Sequence, residues 1–186
     1  MIVPASADDK LGRELRRGWS AAPGEKVAHY IGQFFDTTRL GDQISGRLEG
    51  NHGTYTVTIK LDGQSVTSAC SCYIGKHGGC HHVAALAHTF LDNPSRFTLL
   101  ESREVDTVQA LPDLATYLRS HTLADLLVDM RGRGITQKAF CEAVGMSSQH
   151  LSAVRSAEQR NHFYHELGAI KLAVLWVMEH IAEAEK

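Results

Sequence analysis

Cys70-Ser71-Cys72-Tyr73-Ile74-Gly75-Lys76-His77-Gly78-Gly79-Cys80-His81-His82 is the stretch on which the reading of this chain turns. It holds three of the four cysteines in 186 residues, with Cys141 standing apart. Three clustered thiols cannot pair evenly with one another, and in a reducing compartment such a cluster holds metal more readily than disulfides. Zinc takes four soft or borderline ligands at tetrahedral corners, and thiolates with an imidazole meet that need. In extended backbone, residues i and i+2 face the same side, so Cys70 and Cys72 reach one ion together. Cys80 arrives from the far side of a loop made pliable by Gly75, Gly78 and Gly79. The fourth ligand is His82, with His81 and His77 as alternatives. Four protein ligands leave no open position for water, so the expected Zn2+, one per chain, is structural.

Upstream, Tyr55, Val57, Ile59 and Leu61 alternate with polar residues, Asp62-Gly63 follows, and Val66, Ser68 and Cys70 continue on one face of a returning segment. This predicts a hairpin with a type I′ turn, with Ile44–Glu49 as a third strand. Downstream, Val83–Leu91 reads as a helix closed by Asn93-Pro94. Towards the N-terminus, Leu11, Leu15 and Trp19 have helical spacing beside Arg13, Arg16 and Arg17. Past Pro23-Gly24, the repeat of Val27, Tyr30, Ile31, Phe34 and Phe35 predicts the core face of a second short helix. Residues 96–112, with Glu101, Glu104 and Asp106, lack periodicity and read as a linker. The expected organisation is a zinc-binding domain at 1–95, that linker, and an all-helical domain at 113–186.

With the hairpin before it and an alanine-rich helix after it, the C-x-C…C-x-H spacing resembles the SWIM zinc finger over roughly Phe34–Leu91. By position, that resemblance assigns Cys70, Cys72, Cys80 and His82 as the ligands. It implies nucleic-acid or protein binding without choosing between them.

Thr122 is an expected N-cap before Leu123, Leu126, Leu127 and Met130, with Gly132 and Gly134 at the end of that helix. From Thr136 to Val154, Phe140, Val144, Met146, Leu151 and Val154 supply the apolar faces of two crossing helices. Cys141 is small enough for a close approach, Gly145 suits a turn with positive φ, and Ser147 suits a cap. Residues 122–157 resemble the helix-turn-helix of Cro and the phage repressors. That resemblance implies that Gln137 caps the second helix and touches a phosphate, and that Ser148, Gln149 and Ser152 lie on the recognition helix. Gln149 is the leading base contact, since glutamine can bond adenine N6 and N7 in the major groove of double-stranded DNA. His150, Arg155 and Arg160 are candidates for the backbone. From Asn161 to Glu185, Phe163, Leu167, Ile170, Val174, Val177, Met178 and Ile181 form one broad apolar face that Leu172, Leu175 and Trp176 widen. That face suits either internal packing or a homodimer.

Composition sets the limits. A chain 43% hydrophobic and 22% charged can bury a core, and a formal net charge of −2 excludes a surface that clamps phosphate everywhere. The first six residues carry no secretory pattern, and the longest apolar run, Ala169–Met178, is interrupted by Lys171 and too short to span a bilayer. The expectation is a cytoplasmic α+β protein: a small zinc-stapled hairpin and helix unit followed by an all-α helix-turn-helix domain. It would act without catalysis as a sequence-specific DNA-binding regulator, or as a protein adaptor in a DNA-processing or mobile-element complex.

Overall fold

The computed structural model describes residues 9–75, 79–100, 108–162 and 164–181. The readings placed on residues 1–6, on His77 and Gly78, on Glu101, Glu104 and Asp106, on Phe163 and beyond Ile181 lie outside the described residues. The chain divides into two compact units, Met1–Ser102 and Arg103–Lys186.

In the first unit, helices α1 (Lys10–Gly18) and α2 (Glu25–Tyr30) precede strands β1 (Phe35–Leu40), β2 (Gln43–Gly50), β3 (Gly53–Asp62) and β4 (Ser65–Cys70). Helix α3 (His81–Asp92) and a short strand β5 (Thr98–Leu100) complete it. The five strands form one sheet in the order β4-β3-β2-β1-β5, with β5 parallel to β1 and the other neighbours antiparallel. Alternation decides which face is buried. Ile44, Gly46 and Leu48 of β2 stand opposite Ile59, Val57 and Tyr55 of β3, and they form the inner face with Leu61. Ser45, Arg47, Thr56 and Thr58 turn the other way. Leu11 and Leu15 of α1 and Val83, Leu86 and Phe90 of α3 bury themselves in the same core. A fully buried leucine contributes about 1.5–3 kcal/mol. A Cβ on Gly46 would lie 3.1–3.2 Å from side-chain carbons of Phe34, Leu86 and Thr37, so this glycine admits the close approach of α3 to the sheet. Arg39 of β1 ties the layers together, pairing with the α1 cap Asp9 and lying 5.4 Å from the centre of the Phe90 ring.

Four expectations are corrected here. The helical repeat through Phe35 stops at Tyr30: Gly32 takes φ +76°, Phe34 is buried outside any helix, and Phe35 opens a strand. The hairpin carries more than one added strand, since β1 and β5 widen it to five. The turn between β3 and β4 is not type I′. Asp62 pairs with Ser65, the central residues are Gly63 and Gln64, and only Gly63 (φ +63°) is left-handed, as type II′ requires. The reading of 96–112 as linker fails at both ends. Phe97 is buried in the first core, Arg96 donates to the carbonyls of Gly32 and Phe34, and Leu111 already begins a helix.

The second unit contains α4 (Leu111–Ser120), α5 (Leu123–Gly132), α6 (Gln137–Ala143), α7 (Ser148–Gln159) and α8 (Leu167–His180). Leu123, Leu126, Leu127 and Met130 of α5 meet Phe140 and Cys141 of α6, Leu151 and Val154 of α7, and Ile170, Val174 and Met178 of α8 in one core. Each of the three inner helices opens on a hydroxyl cap. Thr122 accepts from the Asp125 N–H, Thr136 from the Ala139 N–H, and Ser147 from the His150 N–H. Each cap satisfies one of the backbone donors that a helix start leaves open. Among the described residues no helix is long and apolar enough to cross a membrane.

Candidate functional site

Cys70, the last residue of β4, stands opposite Val57 of β3 on the inner face of the sheet and is fully buried. The strand ends there, so Cys72 lies just past it rather than within it. Ser71 makes the transition: its N–H donates to the Thr56 carbonyl at 3.0 Å, and its hydroxyl accepts from the Thr56 N–H at 3.0 Å. The chain then turns back, and the Gly75 N–H donates to Cys72 Sγ at 3.1 Å. Cys80 is the N-cap residue of α3, and His82 enters from the first turn of that helix, 3% exposed.

The ligand atoms of Cys70, Cys72, Cys80 and His82 all lie within 4.8 Å of one another. Cys70 Sγ and His82 Nδ1 are 3.7 Å apart. Two corners of a tetrahedron with zinc bonds of about 2.0–2.3 Å are separated by about 3.6 Å, so the donor set matches a closed zinc site in type, number and spacing. The hydrogen bond between the Cys70 and Cys80 thiols, with burial, pushes the Cys70 thiol up, while the same hydrogen bond, helped by one to His82, pulls the Cys80 thiol down to about 3. A bound zinc ion holds its cysteine ligands as thiolates and joins strand, turn and helix at one point.

His81 is left outside this set. Its ring stacks on Tyr30 at 5.5 Å and lies 4.0 Å from the His82 ring, and burial, followed by the charge of His82, holds it below the usual histidine range. Tyr30 and Tyr55 also contact His82, at 4.8 and 4.9 Å between ring centres, and fix its plane. These aromatic contacts come from residues far upstream in sequence, and the cysteine spacing carries no sign of them.

Gly75 is the backbone position on which the turn depends. A Cβ there would lie 2.4 Å from the Cys70 Cβ and 2.8 Å from the Cys70 carbonyl oxygen, so the turn has no room for a side chain. Gly75→Ala is expected to weaken zinc binding roughly 10–100-fold, the range seen when groups supporting a metal ligand are lost. Competition with a chromophoric chelator reads this directly, and an unchanged affinity would remove Gly75 from the site.

The residues expected to touch DNA are all in the second unit. Ser148, Gln149 and Ser152 are exposed on the first turns of α7, while Gln137 and Arg155 are half-buried. Gln137 is not a cap. It is the first residue of α6, and the cap is Thr136, whose short hydroxyl reaches the Ala139 N–H at 3.1 Å. Gly145 takes φ +69° between α6 and α7, and Cys141 is buried in the core between helices.

Residues 55–90 match the family described as the SWIM zinc finger, a span that contains all four ligands. No curated protein and no solved structure matches the chain. The family match and the Cys3His cluster together support one structural zinc ion.

Proposed function

We propose that the chain is a cytoplasmic zinc protein that binds double-stranded DNA sequence-specifically as a transcriptional regulator, without catalysis, through a helix-turn-helix formed by α6 and α7. The observation that carries this reading is the pairing of a buried and an exposed side on α7. Leu151 and Val154 are fixed in the core while Ser148, Gln149 and Ser152 face outward from the capped N-terminal turns. A recognition helix needs that division, because its first residues enter the groove while its other side seats it on the domain. The left-handed Gly145 between two capped helices is consistent with the same motif. Gln149 is the reader in this proposal, with Arg155 on the phosphate backbone. The zinc unit adds a second nucleic-acid contact or engages a protein partner.

A second copy belongs to the same reading, since two half-sites call for a dimer. Leu172 and Trp176 of α8 are 42% and 56% exposed, large apolar groups on the side of the helix away from its core. Non-enzymatic action is supported by the closed four-ligand site and by Cys141, which is 2% exposed and therefore badly placed as a nucleophile.

Gln149→Ala and Arg155→Ala are the test, in gel shifts on duplexes selected from a random pool by the wild type. Gln149→Ala is expected to weaken the selected sequence by about 1–3 kcal/mol, roughly 5–150-fold, and to relax preference at one position. Arg155→Ala is expected to weaken all sequences alike and to flatten the salt dependence by about one counterion. If both variants bind as the wild type does, the chain acts instead as a protein adaptor.

A further inference from the structure

A cleft of ≈ 270 Å³ opens in the first unit with the zinc ligands Cys72 and His82 in its wall. The rest of its wall brings together Tyr30 at the end of α2, Asn51 and His52 at the tip of the β2–β3 hairpin, Tyr73 in the turn after Cys72, and His81 at the start of α3. The volume lies just below the range of about 300–1,000 Å³ that holds a drug-sized ligand, so the cleft suits one ring system. Tyr73 is 81% exposed at its rim, a large aromatic side chain held on a turn that the metal site fixes.

We infer that this cleft takes one unpaired base of a single-stranded nucleic acid, stacked on Tyr73 and bonded at its edge by Asn51. Three features select that occupant. The lining offers ring faces, which every base can stack on. It also offers directional polar groups, the Asn51 amide and the imidazoles of His52 and His81, which an aliphatic anchor would leave without partners and which the polar edge of a base uses. Among the described residues no aspartate or glutamate lines the cleft, so no carboxylate there repels a phosphate-bearing strand. A base inside a duplex is stacked on both faces and paired at its edge, so only a splayed or single-stranded base enters a concave site of this size. The inference deepens the nucleic-acid contact proposed for the zinc unit and does not depend on α7.

Full-length zinc-loaded protein, titrated into a labelled mixed-sequence single strand and, separately, into the selected duplex, tests it by fluorescence anisotropy. Tyr73→Ala is expected to weaken single-strand binding by about 5-fold or more, the loss of one stacked base, while Tyr73→Phe retains it. Zinc content stays at one equivalent in both variants, and duplex binding stays unchanged. Asn51→Asp, which keeps the shape and removes the amide donors, is expected to alter the order of preference among homopolymeric strands. Single-strand binding equal in wild type and Tyr73→Ala overturns the inference, as does a wild type with no single-strand affinity. So does a tryptophan-containing peptide that alone binds in a Tyr73-dependent way, which would make the cleft a protein contact. Gln149→Ala run alongside separates the two readings, since it affects the duplex arm and leaves the single-strand arm intact.

Discussion

Cys72→Ser is expected to lower zinc from one equivalent per chain to a small fraction of that and to abolish the cooperative thermal transition of the first unit. The size of the effect follows from where the site lies. Cys70 and Cys72 belong to the same buried core as Ile59, Leu86 and Phe90, and His82 is buried too, so the metal is part of the core and not attached to its surface. A structural zinc ion supplies about 10–16 kcal/mol of apparent folding free energy in zinc-finger peptides, as much as the whole stability of an ordinary domain at about 5–15 kcal/mol. Trp19 packs against this core and is the natural reporter, while Trp176 is already 56% exposed and contributes a constant background. Emission is expected to shift to the red on adding chelator or on Cys72→Ser, and re-addition of zinc should reverse the first and not the second. Acid should mimic chelation. Zinc requires its cysteines as thiolates, so metal affinity falls as pH falls and protons compete for the sulfurs, and the stability supplied by zinc is retained on the alkaline side. A metal-free wild type with an unchanged transition would refute the structural role.

What could be read in the sequence followed from how local each signal was. The four zinc ligands fall within a short window that holds three of the chain's four cysteines, and the alternation at Tyr55–Leu61 stated both strand and buried face. The caps Thr122 and Ser147 were legible for the same reason, because a cap acts over three residues. What escaped was non-local. β5 is three residues long and pairs in parallel with β1, some sixty positions away, so no periodicity announces it. Phe34 and Phe35 continue a helical spacing by accident, while the chain turns extended at Ile31 and left-handed at Gly32, a conformation that favours glycine but that glycine alone does not announce. Glu158 was the most consequential omission. Nothing in its local sequence sets it apart from a surface acid, yet it pairs with Lys171 and accepts from the Leu123 N–H. The available signal was Lys171 in the middle of an apolar run, since a lysine on a buried face requires an anion somewhere in the fold.

That pair carries the second large expected effect. Lys171 of α8 is 4% exposed and its ammonium lies 2.5 Å from Glu158 Oε1 of α7. It also donates to the Leu118 carbonyl of α4 at 2.7 Å, while Glu158 Oε2 accepts from the Leu123 N–H, the first of α5, at 2.7 Å. Four helices therefore meet on one ion pair, and the carboxylate sits at a helix start, where negative charge is favoured. Lys171→Met fills the space and removes the cation, leaving a carboxylate only 16% exposed with a single backbone donor. Breaking such a pair from one side costs about 3–5 kcal/mol, enough to lower the melting temperature of a unit this size by more than about 10 °C. The double variant Lys171→Met, Glu158→Gln distinguishes charge from packing. Its glutamine carbonyl still accepts from the Leu123 N–H but carries no charge, so at least half of the lost stability should return in urea denaturation. A cost below about 1 kcal/mol for Lys171→Met would mean that water solvates Glu158 as well as Lys171 does and that the four helices are joined by their apolar core alone.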